Sequence, residues 1–194
     1  MELFCVAGLP GCGKSVVAGL LAERLHGLLL RTDAIRKELF PVPDYSPAES
    51  IHTYTEFYRR AREGLAGGRA VVMDATFYSH ASREEAAAVA RQVGVAWWLL
   101  LVTAPEEIVQ ERIAQRTNDI SDADFRVYLE MKAIFEPMTE IHTEIDNRDG
   151  LEELRAQVDR FLETLKPGGN CSPPSISPGV GEESLHFPPW NGEG

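Results

Sequence analysis

The chain has 194 residues, 44% of them hydrophobic and 25% charged, which is the composition of a single globular domain with a sizeable core. Its 30 acidic residues against 19 basic ones give a formal charge of -11, which repels polyanions and argues against broad nucleic-acid binding while leaving room for a small basic cleft. Three cysteines (Cys5, Cys12, Cys171) make a poor disulfide framework and fit a reducing, cytoplasmic setting, and no apolar stretch reaches the roughly 20 residues of a membrane span.

The start, Met1-Glu2, is acidic and its apolar run breaks at Gly8, so it does not read as a signal peptide. Leu3 to Ala7 has the continuous apolar pattern of a buried strand, and Lys14 to Leu25 carries apolar residues at helical spacing. Leu28 to Arg31 is a second short strand. Pro47 to Leu65 reads as a helix with Ser46 as its N-cap, stopped by Gly67-Gly68. Ala70 to Met73 is a third strand, followed by a helix from Ser82 to Val93 that Gly94 ends. Ala96 to Val102 is the fourth strand, and Pro105 opens the next helix with Glu106 and Glu107 in its positive first turn. Ser121 to Phe135 is helical, Glu140 to Ile145 is a weak fifth strand, and Leu151 to Leu165 is the closing helix. Strands alternating with helices predict a parallel sheet covered on both faces, an α/β fold. Residues 1–166 form that domain, and residues 167–194, rich in Pro, Gly and Ser without Lys or Arg, read as a disordered tail.

Gly8-Leu9-Pro10-Gly11-Cys12-Gly13-Lys14-Ser15 fits G-x-x-x-x-G-K-S/T at every fixed position, between a buried strand and a helix. Glycines let backbone N–H groups curl round an anion, and the helix adds its positive end. Lys14 reaches the β- and γ-phosphates, Ser15 offers a hydroxyl to Mg²⁺, and Val16 completes the nucleotide-binding set. Cys12 stands beside a helix N-terminus, a place that favours thiolate, although a small side chain filling a small space is the preferred reading.

Binding ATP does not specify its use. Thr32-Asp33-Ala34-Ile35-Arg36 follows the second strand, where a parallel sheet places its ligand crevice. Asp33 can accept the proton of an attacking hydroxyl, and Arg36, one helical turn on, can hold the acceptor or the transferring phosphoryl group. Asp74 ends the third strand, the place for a carboxylate that supports Mg²⁺ through its water shell; Thr76 and Arg83 follow where acceptor contacts would lie. Arg112 and Arg116 share a helix face ahead of the polar run Thr117 to Asp122, which reads as a short lid able to neutralise phosphoryl charge. The rival explanation, a surface helix with salt bridges from Glu107 and Glu111, weighs about evenly. Tyr54 and Tyr58 lie one turn apart and can either stack an acceptor or pack in the core. Trp97-Trp98 reads as core, one ring on each covered face. The five histidines are scattered, so a zinc site is not expected.

Taken together, G-L-P-G-x-G-K-S, D-x-x-R after the second strand, V-V-M-D-A-T-F, A-P-E-E with R-x-x-x-R, and S-D-A resemble the AAA-domain P-loop kinases, over about Leu3 to Asp146. That group is similar to the 5′-hydroxyl kinase domain of phage-type polynucleotide kinases and to zeta-toxin and chloramphenicol phosphotransferase relatives. The resemblance implies a three-layer P-loop fold with a five-stranded parallel sheet in the order 2-3-1-4-5. It implies ATP and Mg²⁺ as cofactors, Lys14 and Ser15 on phosphate and metal, Asp33 as general base, Arg36 on the acceptor side, Asp74 near the metal, and Arg112 and Arg116 as lid arginines. The expected function is transfer of the γ-phosphate of ATP to a hydroxyl of a small molecule (sugar, nucleoside or antibiotic). A 5′-hydroxyl nucleic-acid end is an alternative acceptor that the acidic balance disfavours. An ATP-hydrolysing switch working through a protein partner is the alternative of another class. The acceptor and the oligomeric state are not specified by the sequence.

Overall fold

The computed structural model describes residues 1–115 and 120–166. Five strands, β1 (Glu2–Ala7), β2 (Leu28–Arg31), β3 (Val71–Asp74), β4 (Ala96–Thr103) and β5 (Thr143–Asp146), form one sheet in the order β2-β3-β1-β4-β5, with every neighbouring pair parallel. This is the expected sheet order. Helices α1 (Lys14–Leu25), α2 (Thr32–Leu39), α3 (Pro47–Ala66), α4 (His80–Val93), α5 (Glu106–Ala114), α6 (Phe125–Ile134) and α7 (Leu151–Thr164) complete the three layers.

Alternation along β1 divides the core. Leu3, Cys5 and Ala7 face the layer of α3 and α4, with Phe57, Leu65 and Ala86. Phe4 and Val6 face the layer of α1 and α7, with Leu21, Val158 and Phe161. Trp97 joins the first cluster and Trp98 the second, one ring on each face as the strand period requires. Each such fully buried large side chain is worth about 1.5–3 kcal/mol.

Local chemistry sets the element ends. Ser46 caps α3, accepting from the N–H of Glu49 at 3.3 Å, and Pro47 takes the first helical position. Gly94 ends α4 in the left-handed region, as expected. Several boundaries move. β3 runs on to Asp74, and α4 starts at His80 because Ser79 is its cap. α6 starts at Phe125 because Asp124 caps it, accepting from the N–H of Val127 at 2.9 Å, and β5 is confined to Thr143–Asp146. Thr32–Leu39, not read as an element in the sequence, is a helix that starts directly at the end of β2. The tail beyond residue 166 lies outside the described residues. Among the described residues no helix is long and apolar enough to cross a membrane.

Arg83 is placed differently from the sequence expectation. It is wholly buried, and its guanidinium donates to Glu140 Oε1 (2.8 Å), the Phe77 carbonyl (3.0 Å) and the Pro137 carbonyl (3.1 Å). It clamps the chain between α6 and β5 onto α4 and touches no acceptor space. Burial pushes the Glu140 carboxyl up, but hydrogen bonds from Arg83 and His80 outweigh it and hold the group below the ordinary glutamate range. A carboxyl with a depressed folded value adds stability above its unfolded value, near pH 4.3, and loses it as pH falls through the folded value. Arg83→Met should cost about 3–5 kcal/mol in urea unfolding, because it strands a buried carboxylate. Glu140→Gln should lose less stability than wild type when the same titration is repeated between neutral pH and pH about 3.

Candidate active site

The loop Gly8 to Gly13 joins β1 to α1 at the carboxyl edge of the sheet. Gly13, with φ of 96°, is the N-cap of α1, and a Cβ there would lie 2.1 Å from Asn147 Nδ2. A Cβ on Gly8 would lie 2.5 Å from the Val102 carbonyl oxygen. Both positions therefore exclude side chains, which packs the loop onto the ends of β4 and β5. α1 has no acidic residue in its first turn, whereas α5 and α7 each have two, so the positive end of α1 is left for an anion.

Asn147, directly after β5, holds the loop from behind. Its Nδ2 donates to the Cys12 carbonyl at 2.8 Å, while Arg112 Nη2 donates to the Asn147 carbonyl (3.0 Å) and to Oδ1 (3.3 Å). Arg112 thus reaches the phosphate loop through Asn147 and does not line the cavity described below; its Nη1 is buried without a partner among the described residues. Arg116 lies outside the described residues. Cys12 is buried, and burial pushes its thiol up against the pull of Lys14, so the expected tendency to thiolate is reversed and the small space-filling side chain is what the fold uses.

In front of the loop lies a cavity of about 350 Å³. Lys14, Asp33, Arg36, Asp74 and Thr76 all line it, so the strand-end rule brings those residues together as expected. Tyr54 lines it also, but Tyr58 does not: it is buried between α3 and α4, its hydroxyl donating to the Ser82 carbonyl at 3.0 Å. Arg36 is 8% exposed, with Nη1 on Glu49 Oε1 at 2.9 Å, Nη2 on the Ser50 hydroxyl at 3.3 Å, and its guanidinium 4.9 Å above the Tyr45 ring. Its charge is matched in place.

Arg31, Tyr45 and Tyr78 also line the cavity and were not singled out in the sequence, while Asp122 lines it from the end of the polar run Thr117 to Asp122. Arg31 and Asp74 are register partners at the ends of β2 and β3. Arg31 Nε donates to Asp74 Oδ2 at 3.0 Å, and its Nη2 donates to the Ser15 hydroxyl at 3.0 Å. Asp74 is 3% exposed and its Oδ1 has no partner among the described residues, so that carboxylate keeps capacity for a metal or its water shell. Asp122 accepts from Lys37 Nζ (2.8 Å) and from the Tyr45 hydroxyl (2.6 Å), which fastens the segment before α6 across the cavity to α2. The Lys37 hydrogen bond, then that of Tyr45, lowers the Asp122 carboxyl below its usual range. Arg31 and Asn147 each stand at the carboxyl end of a strand, and that position was the available signal.

A family model described as AAA domain matches residues 3–138. Among curated proteins, an uncharacterized protein of Mycobacterium tuberculosis is 30% identical over 135 residues, 63% of this chain but 27% of that protein, so the chain spans only a minor part of the first relatives it matches. A UPF0200 protein of Aeropyrum pernix is 34% identical over 125 residues, 59% of this chain and 64% of that one. Among solved structures, the APS kinase of Mycobacterium tuberculosis in complex with AMPPNP and APS matches with a TM-score of 0.62 at 18% identity, over 84% of this chain and 96% of that one. A gluconokinase from Sinorhizobium meliloti gives 0.58 at 21% identity, over 84% and 94%. A sugar kinase from Janibacter sp. gives 0.62 at 15%, again over 84% and 94%. These structural matches establish a common fold.

Asn147→Ala would take the amide from the Cys12 carbonyl and leave Arg112 only the backbone carbonyl at position 147. Such buried losses cost about 1–3 kcal/mol each. A fluorescent ATP analogue should bind this variant about tenfold more weakly, read by equilibrium titration; unchanged affinity would show that the loop holds its shape without the amide.

Proposed function

The chain belongs to the AAA-domain family, and on that premise we propose that it is a P-loop phosphotransferase that moves the γ-phosphate of ATP to a hydroxyl of a small molecule. The observation that carries this reading is the shared cavity: Lys14 of the phosphate loop and Asp33 at the start of α2 line one space of about 350 Å³, enough for a compact acceptor beside a terminal phosphate. The sugar kinase, gluconokinase and APS kinase that share the fold agree with it and leave the acceptor open.

In this reading Gly8, Leu9, Pro10, Gly11, Cys12, Gly13, Lys14, Ser15 and Val16 form the loop and first turn that hold the phosphates, through the backbone N–H groups the loop turns toward the anion and the lysine ammonium, while Pro10, without an N–H, shapes the turn. Ser15 and Asp74 would hold Mg²⁺, which when bound neutralises charge on the β- and γ-phosphates. Asp33 accepts the hydrogen bond of the acceptor hydroxyl and takes its proton as the new O–P bond forms and the bond to the ADP oxygen breaks. Lys14 stabilises the departing charge, and Arg112 adds positive charge behind the loop. Arg36 shapes the acceptor side. Arg116 keeps its proposed place on a closing lid.

The charges favour an uncharged acceptor. Arg36 is matched by Glu49, Arg31 by Asp74 and Asp122 by Lys37, while Asp33 adds negative charge to the wall. A sugar, nucleoside or antibiotic hydroxyl suits this balance. A nucleic-acid end suits it less, since Lys37 is paired with Asp122 and Arg126 with Glu130. A hydrolytic switch needs no acceptor space beside Asp33.

The reading predicts transfer of label from radiolabelled ATP to one member of a pool of sugars, nucleosides, aminoglycosides, chloramphenicol and 5′-hydroxyl oligonucleotides. Lys14→Ala should abolish it, and Asp33→Asn should slow it about 10²- to 10⁴-fold with ATP affinity retained. Release of free phosphate alone, unaltered in Asp33→Asn, would replace the kinase by the switch.

A further inference from the structure

We propose that Arg31 is a built-in stand-in for the divalent cation, so that metal enters this site with the nucleotide and not before it. The inference rests on the nucleotide-binding reading above. It starts from strand register: Arg31 and Asp74 end adjacent parallel strands as direct partners, and Ser15 stands in the first turn of α1 on the side they face. The guanidinium therefore spans the two groups, 3.0 Å from Asp74 Oδ2 and 3.0 Å from the Ser15 hydroxyl.

A carboxylate with 3% exposure is costly to leave unpaired, and Arg31 supplies its charge from within the protein. The cost of that arrangement falls on metal binding. Mg²⁺ is a small, hard cation that needs oxygen ligands in close octahedral order and gives up its waters reluctantly. It cannot bridge the Ser15 hydroxyl and Asp74 Oδ2 while a guanidinium lies between them, the buried Oδ1 by itself is too few ligands, and like charges repel at that distance. A nucleotide changes the balance. Its phosphates give Arg31, which already lines the cavity with Lys14, a new acceptor for the same planar donors. The side chain then leaves Ser15 free, and the positive charge stays in the site. Arg31 acts here as a positioning residue.

The test uses Mn²⁺ as the probe, with free ion read by electron paramagnetic resonance and the protein followed by thermal unfolding. Without nucleotide, wild type should leave Mn²⁺ in solution and keep its Tm unchanged. Arg31→Gln should bind Mn²⁺ about tenfold or more tightly than wild type and gain Tm from it. The Arg31→Gln/Asp74→Asn double variant should return to wild-type binding. Arg31→Lys, which keeps the charge and the fold with a shorter reach, should fall between. Equal Mn²⁺ binding by nucleotide-free wild type and Arg31→Gln would overturn the proposal, as would tight Mn²⁺ binding by wild type alone. A separate titration of wild type with a fluorescent ATP analogue in Mg²⁺ tests the reading beneath it. Failure there removes the nucleotide site and is seen independently of the Mn²⁺ result.

Discussion

The site is organised around the close approach of Asn147 to Gly13. With 2.1 Å between the amide nitrogen and the place a Cβ would occupy, only a glycine lets the chain turn into α1 there. The same approach brings the amide within reach of the Cys12 carbonyl and, through Asn147, ties Arg112 to the loop. Three distant pieces of chain, the loop after β1, helix α5 and the turn after β5, are thereby held in one arrangement. The fit is steric first and electrostatic second. A hydrogen bond can stretch by a few tenths of an ångström, whereas overlapping atoms must move apart.

A second constraint is the pairing of β2 with β3. Parallel register fixes which side chains emerge together, and at the strand ends it sets Arg31 against Asp74. Negative charge at the site is therefore balanced locally, pair by pair: Arg31 with Asp74, Arg36 with Glu49, Lys37 with Asp122. Lys14 forms no ion pair among the described residues. A strongly acidic protein can host a phosphate site on these terms, because the lysine and the backbone dipoles act at a few ångströms while the surface charge is screened within about 10 Å.

Much of this was legible in the residues because it rests on short-range pattern. The glycine loop, the apolar strand runs, Ser46-Pro47 and Gly94 act within a few positions of themselves, and the structure follows them. Asp33, Asp74 and Lys14 meet in one cavity because strand-end position is a topological property that alternating β and α segments reveal. What escaped depended on contacts between remote segments. Arg83 looked like a polar helix residue near a ligand; its three acceptors lie at Phe77, Pro137 and Glu140, the last two far along the chain. Tyr54 and Tyr58 share a helix face, yet a rotation of about 40° between positions four apart sends one to the cavity and the other under α4. Asn147 follows a weak fifth strand, and its partners at Cys12 and Arg112 lie far back along the chain. Cys12, by contrast, is the small space-filling residue that the sequence reading preferred, and burial outweighs the pull of its helix end.

The placing of Trp97 and Trp98 has a spectroscopic consequence. Neighbouring residues of one strand put two indole emitters on opposite sides of a sheet, each within van der Waals reach of a different helical layer. Trp98 packs edge-on against Phe161 of α7, while Trp97 belongs to the layer of α3 and α4. Fluorescence from single-tryptophan versions of the chain would therefore resolve the loosening of the two layers in time. One emitter watches the side that carries α1 behind the phosphate loop; the other watches the side that carries the tyrosine wall of the cavity.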